Sequence, residues 1–275
     1  MEAGLYSGLS FEGYRATDAL SISTLKVFAK APAKLLAEEE TSRAATLGSL
    51  THTATLEPDA LDARFRVGPD ARGNSNAWKA ALAEAEADGV ELIRADDWRA
   101  ALAMRDAVLK HPVASALLSG PGLVEASAFW EDPLTGVPCR ARPDRLCESS
   151  RVIVDVKTAA DGSPWEFAQA AARMKYHWQA ASYLDAMRHL GWEPAAFVFL
   201  VVEKDAPFIV SAYELEREAL EAGRRQVADA LAYYAERHDQ APSADFLEHM
   251  RAAGFQPPAV DADAVARGGQ AIRLA

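Results

Sequence analysis

Arg142-Pro143-Asp144-Arg145-Leu146, followed by Val152-Ile153-Val154-Asp155-Val156-Lys157-Thr158, decides how the chain is read. Val152 to Lys157 has the β-branched, apolar composition of a strand on a half-buried pleated surface. Side chains alternate along a strand, so Val152, Val154 and Val156 share one face and Ile153, Asp155 and Lys157 the other. Charged groups beside buried aliphatics are costly unless they are paired or bound to a metal. Pro138 to Leu146 reads as the preceding strand, pairing with this one as a hairpin and bringing Asp144 beside Asp155. Two carboxylates meeting at one point make a hard oxygen site suited to Mg²⁺ or Mn²⁺. Lys157, two residues further along the same face, would sit beside that metal, where it could orient or deprotonate a water or balance charge on a phosphate. An Asp–Lys ion pair at a strand end gives the same D-x-K spacing. The Pro-Asp upstream and the hydrophobic run before Asp155 favour the catalytic reading.

The elements around this stretch predict an α/β fold. Val124 to Glu131 alternates as a strand does, and Asp132-Pro133-Leu134-Thr135-Gly136 is a hairpin turn. Three neighbouring strands of a meander are thus expected to deliver the site. Glu125 lies on the first, as an acidic candidate that its local sequence does not separate from a surface glutamate. Upstream, Ser21 to Leu25 opens a capped helix. Ala44 to Leu56 is a second helix, in which Gly48 and Ser49 permit close packing and His52 lies one turn beyond Gly48 on the same face. From the residues alone, a lone histidine on a helix is structural or exposed. Asp59 to Asn76 is turn-rich and reads as irregular. Helices follow over Ala77–Asp88, Ala95–Lys110 and Val113–Leu118, with a short strand at Val90–Ile93 between the first two. Downstream, a helix starts at Ser163-Pro164, and another runs from Tyr176 to Leu190, ending at Gly191. Gln179 and Tyr183, four apart, present on one face of it. Taken alone they fit a solvated Gln and a core Tyr. Ala196 to Glu203 is a strongly apolar central strand, Phe208 to Leu215 its antiparallel neighbour, and Glu216 to Arg237 a helix. The tail from Ala241 is loop-like and carries no motif.

Half of the 275 residues are hydrophobic and a quarter charged, which suits a soluble globular protein with a substantial core. Two cysteines, Cys139 and Cys147, cannot make a disulfide framework or a Cys₄ metal site. That argues against an iron–sulfur cluster and leaves free thiols as the expected state. No apolar run approaches the roughly 20 residues of a membrane helix, and Met1-Glu2-Ala3-Gly4 lacks the features of a secretory signal. The expected location is the cytoplasm, with no membrane partner. A net charge of −11 argues against a broad basic surface. It is compatible with a local basic channel for duplex DNA, for which Arg140, Arg142, Arg145, Lys157, Arg173 and Lys175 are the candidates. Scattered solvated surface charges would look the same in sequence.

Several stretches in order resemble the PD-(D/E)XK nuclease superfamily, with Pro143-Asp144 as the "PD" and Asp155-Val156-Lys157 as the "DXK". More specifically they resemble the RecE-type exodeoxyribonuclease VIII catalytic domain of phages and prophages. The resemblance runs from Ser21-Ile22-Ser23-Thr24-Leu25-Lys26 through Leu47-Gly48-Ser49-Leu50-Thr51-His52, Leu56-Glu57-Pro58, Phe129-Trp130 and Thr135-Gly136. It continues over Cys139 to Leu146 and Val154 to Thr158, and ends at Tyr176-His177-Trp178-Gln179-Ala180-Ala181-Ser182-Tyr183. It implies a restriction-endonuclease-like mixed central sheet flanked by helices. It also implies a single nuclease domain over residues 1–275. Within it, a helical N-terminal region (residues 1–120) contributes His52, residues 121–240 form the catalytic core, and residues 241–275 are a tail without a stated role. The metal would be Mg²⁺, with Mn²⁺ as a substitute, held by His52, Asp144, Asp155 and the Val156 carbonyl. Lys157 would position or activate water, Gln179 and Tyr183 would orient the lysine, water or DNA, and Glu125 falls where family members place an acid. The implied activity is 5′→3′ exonuclease action on linear double-stranded DNA, leaving 3′ single strands for a recombinase or annealing protein, in a ring-shaped homo-oligomer. An endonuclease or single-strand nuclease could use the same site. A non-catalytic DNA-binding module is disfavoured because His52, Asp144, Asp155, Lys157, Gln179 and Tyr183 are all present.

Overall fold

The strand at Val152–Ala159 lies inside a six-stranded mixed sheet. The structure, a computed structural model, describes residues 1–36, 42–237 and 272–274. The sheet runs in the order Ile272–Leu274, Val210–Leu215, Ala196–Glu203, Val152–Ala159, Arg145–Cys147, Gly122–Val124. Only the central pair, Ala196–Glu203 with Val152–Ala159, is parallel, and it sets Phe199 beside Asp155 and Val201 beside Lys157. The other neighbours are antiparallel. Such a mixed sheet with helices on both faces is the α/β architecture that the sequence predicts.

Alternation along Val152–Ala159 divides the core in two. Val154 and Val156 pack with Val198, Leu200 and Val202 against Met104 and Val108 of the helix Ala95–Lys110. Ile153 faces the other way, with Phe197, Phe199 and Val201, against Phe167 of the helix Pro164–Arg173 and Leu184 and Met187 of the helix Tyr176–His189. Ala196–Glu203 is buried on both faces, as its unbroken apolar run requires. Cys139 and Cys147 are buried and free.

The expected antiparallel neighbours form, but the first two strands are interrupted. Val124 to Glu131 and Pro138 to Leu146, each predicted as one strand, are each broken into two. Gly122–Val124 and Arg145–Cys147 belong to the six-stranded sheet. Ser127–Glu131 and Pro138–Ala141 belong to a four-stranded sheet completed by Gly4–Tyr6 and Leu20–Ser21. Both halves of the hairpin change sheet at the same level. Glu125 has a left-handed backbone, φ 52°, which ends a regular strand. One step further, level with Ala126, Pro143 lacks an N–H, so the ladder cannot continue there. The Glu125 amide still donates to the Asp144 carbonyl at 3.1 Å across the corner.

Asp59 to Asn76, expected to be irregular, holds a short helix Leu61–Arg64 and a strand Phe65–Val67 paired in parallel with Glu91–Ile93. Burial of Phe65 with Leu50, Ala54, Leu61, Ile93 and Ala101 outweighs the weak local propensity. The tail lies outside the described residues apart from Ile272–Leu274, which forms an edge strand rather than a loop. No helix among the described residues is long and apolar enough to cross a membrane.

Candidate metal centre and active site

The hairpin corner assembles one half of the site. Ser42 caps the helix Arg43–Leu56, which lies across the sheet and brings His52 to the corner. Its Nε2 is 3.0 Å from Asp144 Oδ2 and 3.3 Å from Glu125 Oε1. Asp144 occupies the point where Arg145–Cys147 stops pairing with Val152–Ala159. Its Oδ2 takes over as acceptor for the next amide, the Val156 N–H, at 2.7 Å. Glu125 is anchored by Arg142, whose Nε donates to Oε2 at 2.6 Å. Burial alone would push the His52 imidazole pKa down. Asp144 and Glu125 outweigh it and raise it from 6.5 to about 9. Asp144 is likewise penalised by burial, yet His52 and Lys157 hold its carboxyl below the usual range. Glu125 is raised, chiefly by burial.

The other half lies on the Ile153 face of the strand. Asp155, 1% exposed, forms an ion pair with Lys157 Nζ at 2.5 Å. Gln179 Nε2, from the helix Tyr176–His189, donates to Asp155 Oδ1 at 2.6 Å. Burial, with help from Asp144, raises the Asp155 pKa to about 6. Lys157 stays protonated because Asp155 and Asp144 outweigh its desolvation. Its Nζ also lies 5.1 Å from the centre of the Tyr176 ring, a favourable cation–π position.

The donor set suits a hard divalent cation. One ligand atom each of His52, Glu125 and Asp144 lies within 4.8 Å of the others. An imidazole with carboxylate oxygens is a donor set that Mn²⁺ and Mg²⁺ sites accept. Asp155 lies beside that cluster with Oδ2 held by the Lys157 ammonium and Oδ1 by Gln179. Local sequence ranks Glu125 behind the other acids. The structure gathers it with His52 and Asp144, while Asp155 lies outside that compact group. The Val156 amide is turned to Asp144.

Tyr183 is buried with Phe197 in the core, its hydroxyl beside the Arg142 backbone amide and in electrostatic range of Asp155 and Asp144, and burial drives its pKa well up. Three predicted DNA-binding arginines are spent inside the fold. Arg140 Nη1 donates to the carbonyls of Tyr14, Arg15 and Thr17 at 2.5, 2.8 and 2.8 Å. Arg142 holds Glu125, the Leu9 carbonyl and Ser127 Oγ. Arg145 is buried and donates to the Gly120 carbonyl. These acceptors occupy part of each guanidinium's donor set, while Arg140 Nε and Arg145 Nε are buried without a partner. Lys175 is half-buried at a left-handed turn residue, with its Nζ 3.8 Å from the centre of the Trp178 ring. Sequence reasoning gives no role to Tyr176, although three residues before Gln179 is one helical turn on the same face.

Residues 21–244 match the family described as a PDDEXK-like domain of unknown function (DUF3799). No curated protein matches the chain. Among solved structures it aligns with the crystal structure of a candidate exonuclease from Eubacterium rectale at a TM-score of 0.63 and 17% identity. The alignment covers 95% of this chain and 99% of that one. At that identity the likeness speaks for the fold, the restriction-endonuclease-like arrangement of a mixed sheet between helices.

Proposed function

The chain belongs to this PDDEXK-like family, and we propose that it is a divalent-metal-dependent nuclease that hydrolyses DNA phosphodiesters. The observation that carries this reading is the meeting of two opposite charge sets at one strand. His52, Glu125 and Asp144 form a metal-ready cluster on one side, and a buried Asp155–Lys157 pair fixed by Gln179 lies on the other. A metal ion held by His52, Glu125 and Asp144, with Asp155 beside it, would lower the pKa of an attacking water and offset charge gathering on the phosphate. Gln179 locks Asp155, and Asp155 in turn holds the Lys157 ammonium over the site. There Lys157 donates N–H to the water or to a phosphate oxygen.

The finer reading rests on the RecE-type resemblance. The metal is Mg²⁺, the substrate is linear duplex DNA degraded from its 5′ ends, and the 3′ single strands pass to an annealing or recombinase protein. Residues 1–275 make a single nuclease domain with its catalytic core over residues 121–240, and assembly is a closed homo-oligomer.

Linear duplex labelled at the 5′ or the 3′ end, incubated with Mg²⁺, Mn²⁺ or EDTA, tests both levels beside Lys157→Ala. Metal-dependent release of the 5′ label first, absent in Lys157→Ala, is the expected result. Cleavage of closed circular DNA would replace exonuclease with endonuclease. Loss of neither label, with single strands also intact, would leave a binding module on a nuclease fold.

A further inference from the structure

The surroundings of the proposed lysine hold one cation that the mechanism above leaves unused. Lys26 is distant in the chain, on the helix Ile22–Lys30 that Ser21 caps. That helix packs on the helix Tyr176–His189 and points Lys26 at the turn before it. Lys26 Nζ donates to the Met174 carbonyl at 3.0 Å and lies 5.9 Å from the centre of the Tyr176 ring. Lys157 Nζ lies 5.1 Å from the same centre. Two ammonium groups thus share one aromatic ring, which is itself stacked on Phe199 of the neighbouring strand.

The local charge balance is uneven. Burial, and then Lys157 and Lys175 as like charges against the Asp155 carboxylate, lower the Lys26 pKa from 10.5 to about 7, so an anion placed at its Nζ would favour the protonated form. Asp155 is already committed to Lys157 and Gln179. The Met174 carbonyl takes one of the three ammonium protons of Lys26, and a ring face is a weak counter-charge beside a carboxylate. Lys157 has its carboxylate, whereas Lys26, beside it, is bonded to a carbonyl, and an anion from outside would complete its site. A phosphodiester oxygen meets the requirement, since it brings charge and acceptor lone pairs together.

We propose that Lys26 is a substrate-binding residue that takes a non-bridging phosphate oxygen of the strand being cut, beside Lys157 and across the Tyr176 ring from it. This rests on the nuclease reading. It divides the work between two lysines: Lys157, tied to Asp155, serves the reacting water, and Lys26 holds the strand in register. The Met174 carbonyl and the ring restrict the ammonium to one direction, so little ordering is left for when substrate arrives.

Lys26→Met, Lys26→Arg and wild type, each as the full chain, test the assignment. Lys26→Met keeps the aliphatic stem, and thermal melting with a Mn²⁺ titration checks that fold and metal site survive. The measurements are steady-state cleavage and, with Ca²⁺ replacing the cleaving metal, fluorescence anisotropy on a labelled duplex across salt concentrations. A second duplex series replaces each of the last three phosphates of the cut strand with a neutral methylphosphonate. Lys26→Met is expected to lower kcat/KM about 10- to 100-fold, mainly through KM. It should also flatten the salt slope by about one counterion, with Lys26→Arg near wild type in slope. One methylphosphonate position should weaken wild type but leave Lys26→Met unchanged, the coupling expected of direct contact. Unchanged KM and slope in Lys26→Met, or no coupled position, would overturn this inference alone. A wild type that neither cuts nor binds nucleic acid would overturn the nuclease reading with it.

Discussion

The two halves of the site are built in opposite ways. Lys157, Asp155, Gln179 and Tyr176 stand on a regular strand and a regular helix, and their spacing follows from periodicity. His52, Glu125 and Asp144 meet where regularity fails: a left-handed residue and a proline break the two strands of a hairpin one step apart. The basic half keeps its charge because Asp155 and Asp144 hold Lys157 protonated. The acidic half stores a proton on His52 in the place where a cation would sit. Regular elements fix direction, and broken ones gather ligands from distant regions of the chain. The division explains why one half is easier to read from sequence than the other.

The sharpest way to break the comparison is to remove one residue from each half. Lys157→Ala is expected to reduce kcat by about 10²- to 10⁴-fold while Mn²⁺ binding, followed by calorimetry, survives. His52→Ala should do the reverse first, weakening Mn²⁺ by about 10- to 100-fold or more. Glu125→Gln should weaken it comparably if Glu125 is a ligand. If Glu125→Gln leaves metal affinity untouched while Asp155→Asn abolishes it, the compact cluster is not the metal site.

Next in size is a pH effect confined to the acidic half. The His52 pKa is raised from 6.5 to about 9, so the folded, metal-free protein binds that proton more tightly than the unfolded chain. Its contribution to stability is full below about pH 6.5 and is lost as pH rises through about 9. A cation must displace the same proton. Mn²⁺ affinity is therefore expected to rise by up to about tenfold per pH unit over this window, and His52→Ala should flatten that dependence. A pH-independent affinity in wild type would separate His52 from the metal.

Two glycines sharpen the contrast through stability. Gly223, on the helix Arg217–Arg237, backs the helix that carries Gln179, and a Cβ there would collide with the His177 carbonyl. Gly223→Ala should cost about 1–3 kcal/mol in denaturant unfolding. Gly48 approaches the strand near Thr158, and a Cβ would meet Thr158 Oγ1 at an ordinary 3.6 Å. The expected effect of Gly48→Ala is the smallest, a gain of up to about 1 kcal/mol from helix propensity.

The basic half of the site is legible in sequence because its chemistry is local. Val152 to Lys157 declares a strand, its alternation puts Asp155 and Lys157 on one face, and Gln179 falls on a helix that packs against that face. The same periodicity does not say how deep Tyr183 lies, since a tyrosine one turn beyond Gln179 can lie in the core as easily as at the edge. Arginines near the motif in sequence suggest a DNA channel. Arg140, Arg142 and Arg145 instead donate to carbonyls of other segments and to the Glu125 carboxylate. Sequence proximity cannot tell a guanidinium that holds the fold from one that awaits a ligand.

By itself the sequence determined the central strands, the flanking helices and the Asp155–Lys157 pair, because strand and helix periodicities translate spacing directly into facing. The tertiary structure alone decided that Glu125 joins His52 and Asp144, and that Lys26 meets Lys157 across Tyr176. Those meetings depend on where two strands leave one sheet for another and on how one helix lies over the next. Packing of the whole chain sets both, and no local period encodes them.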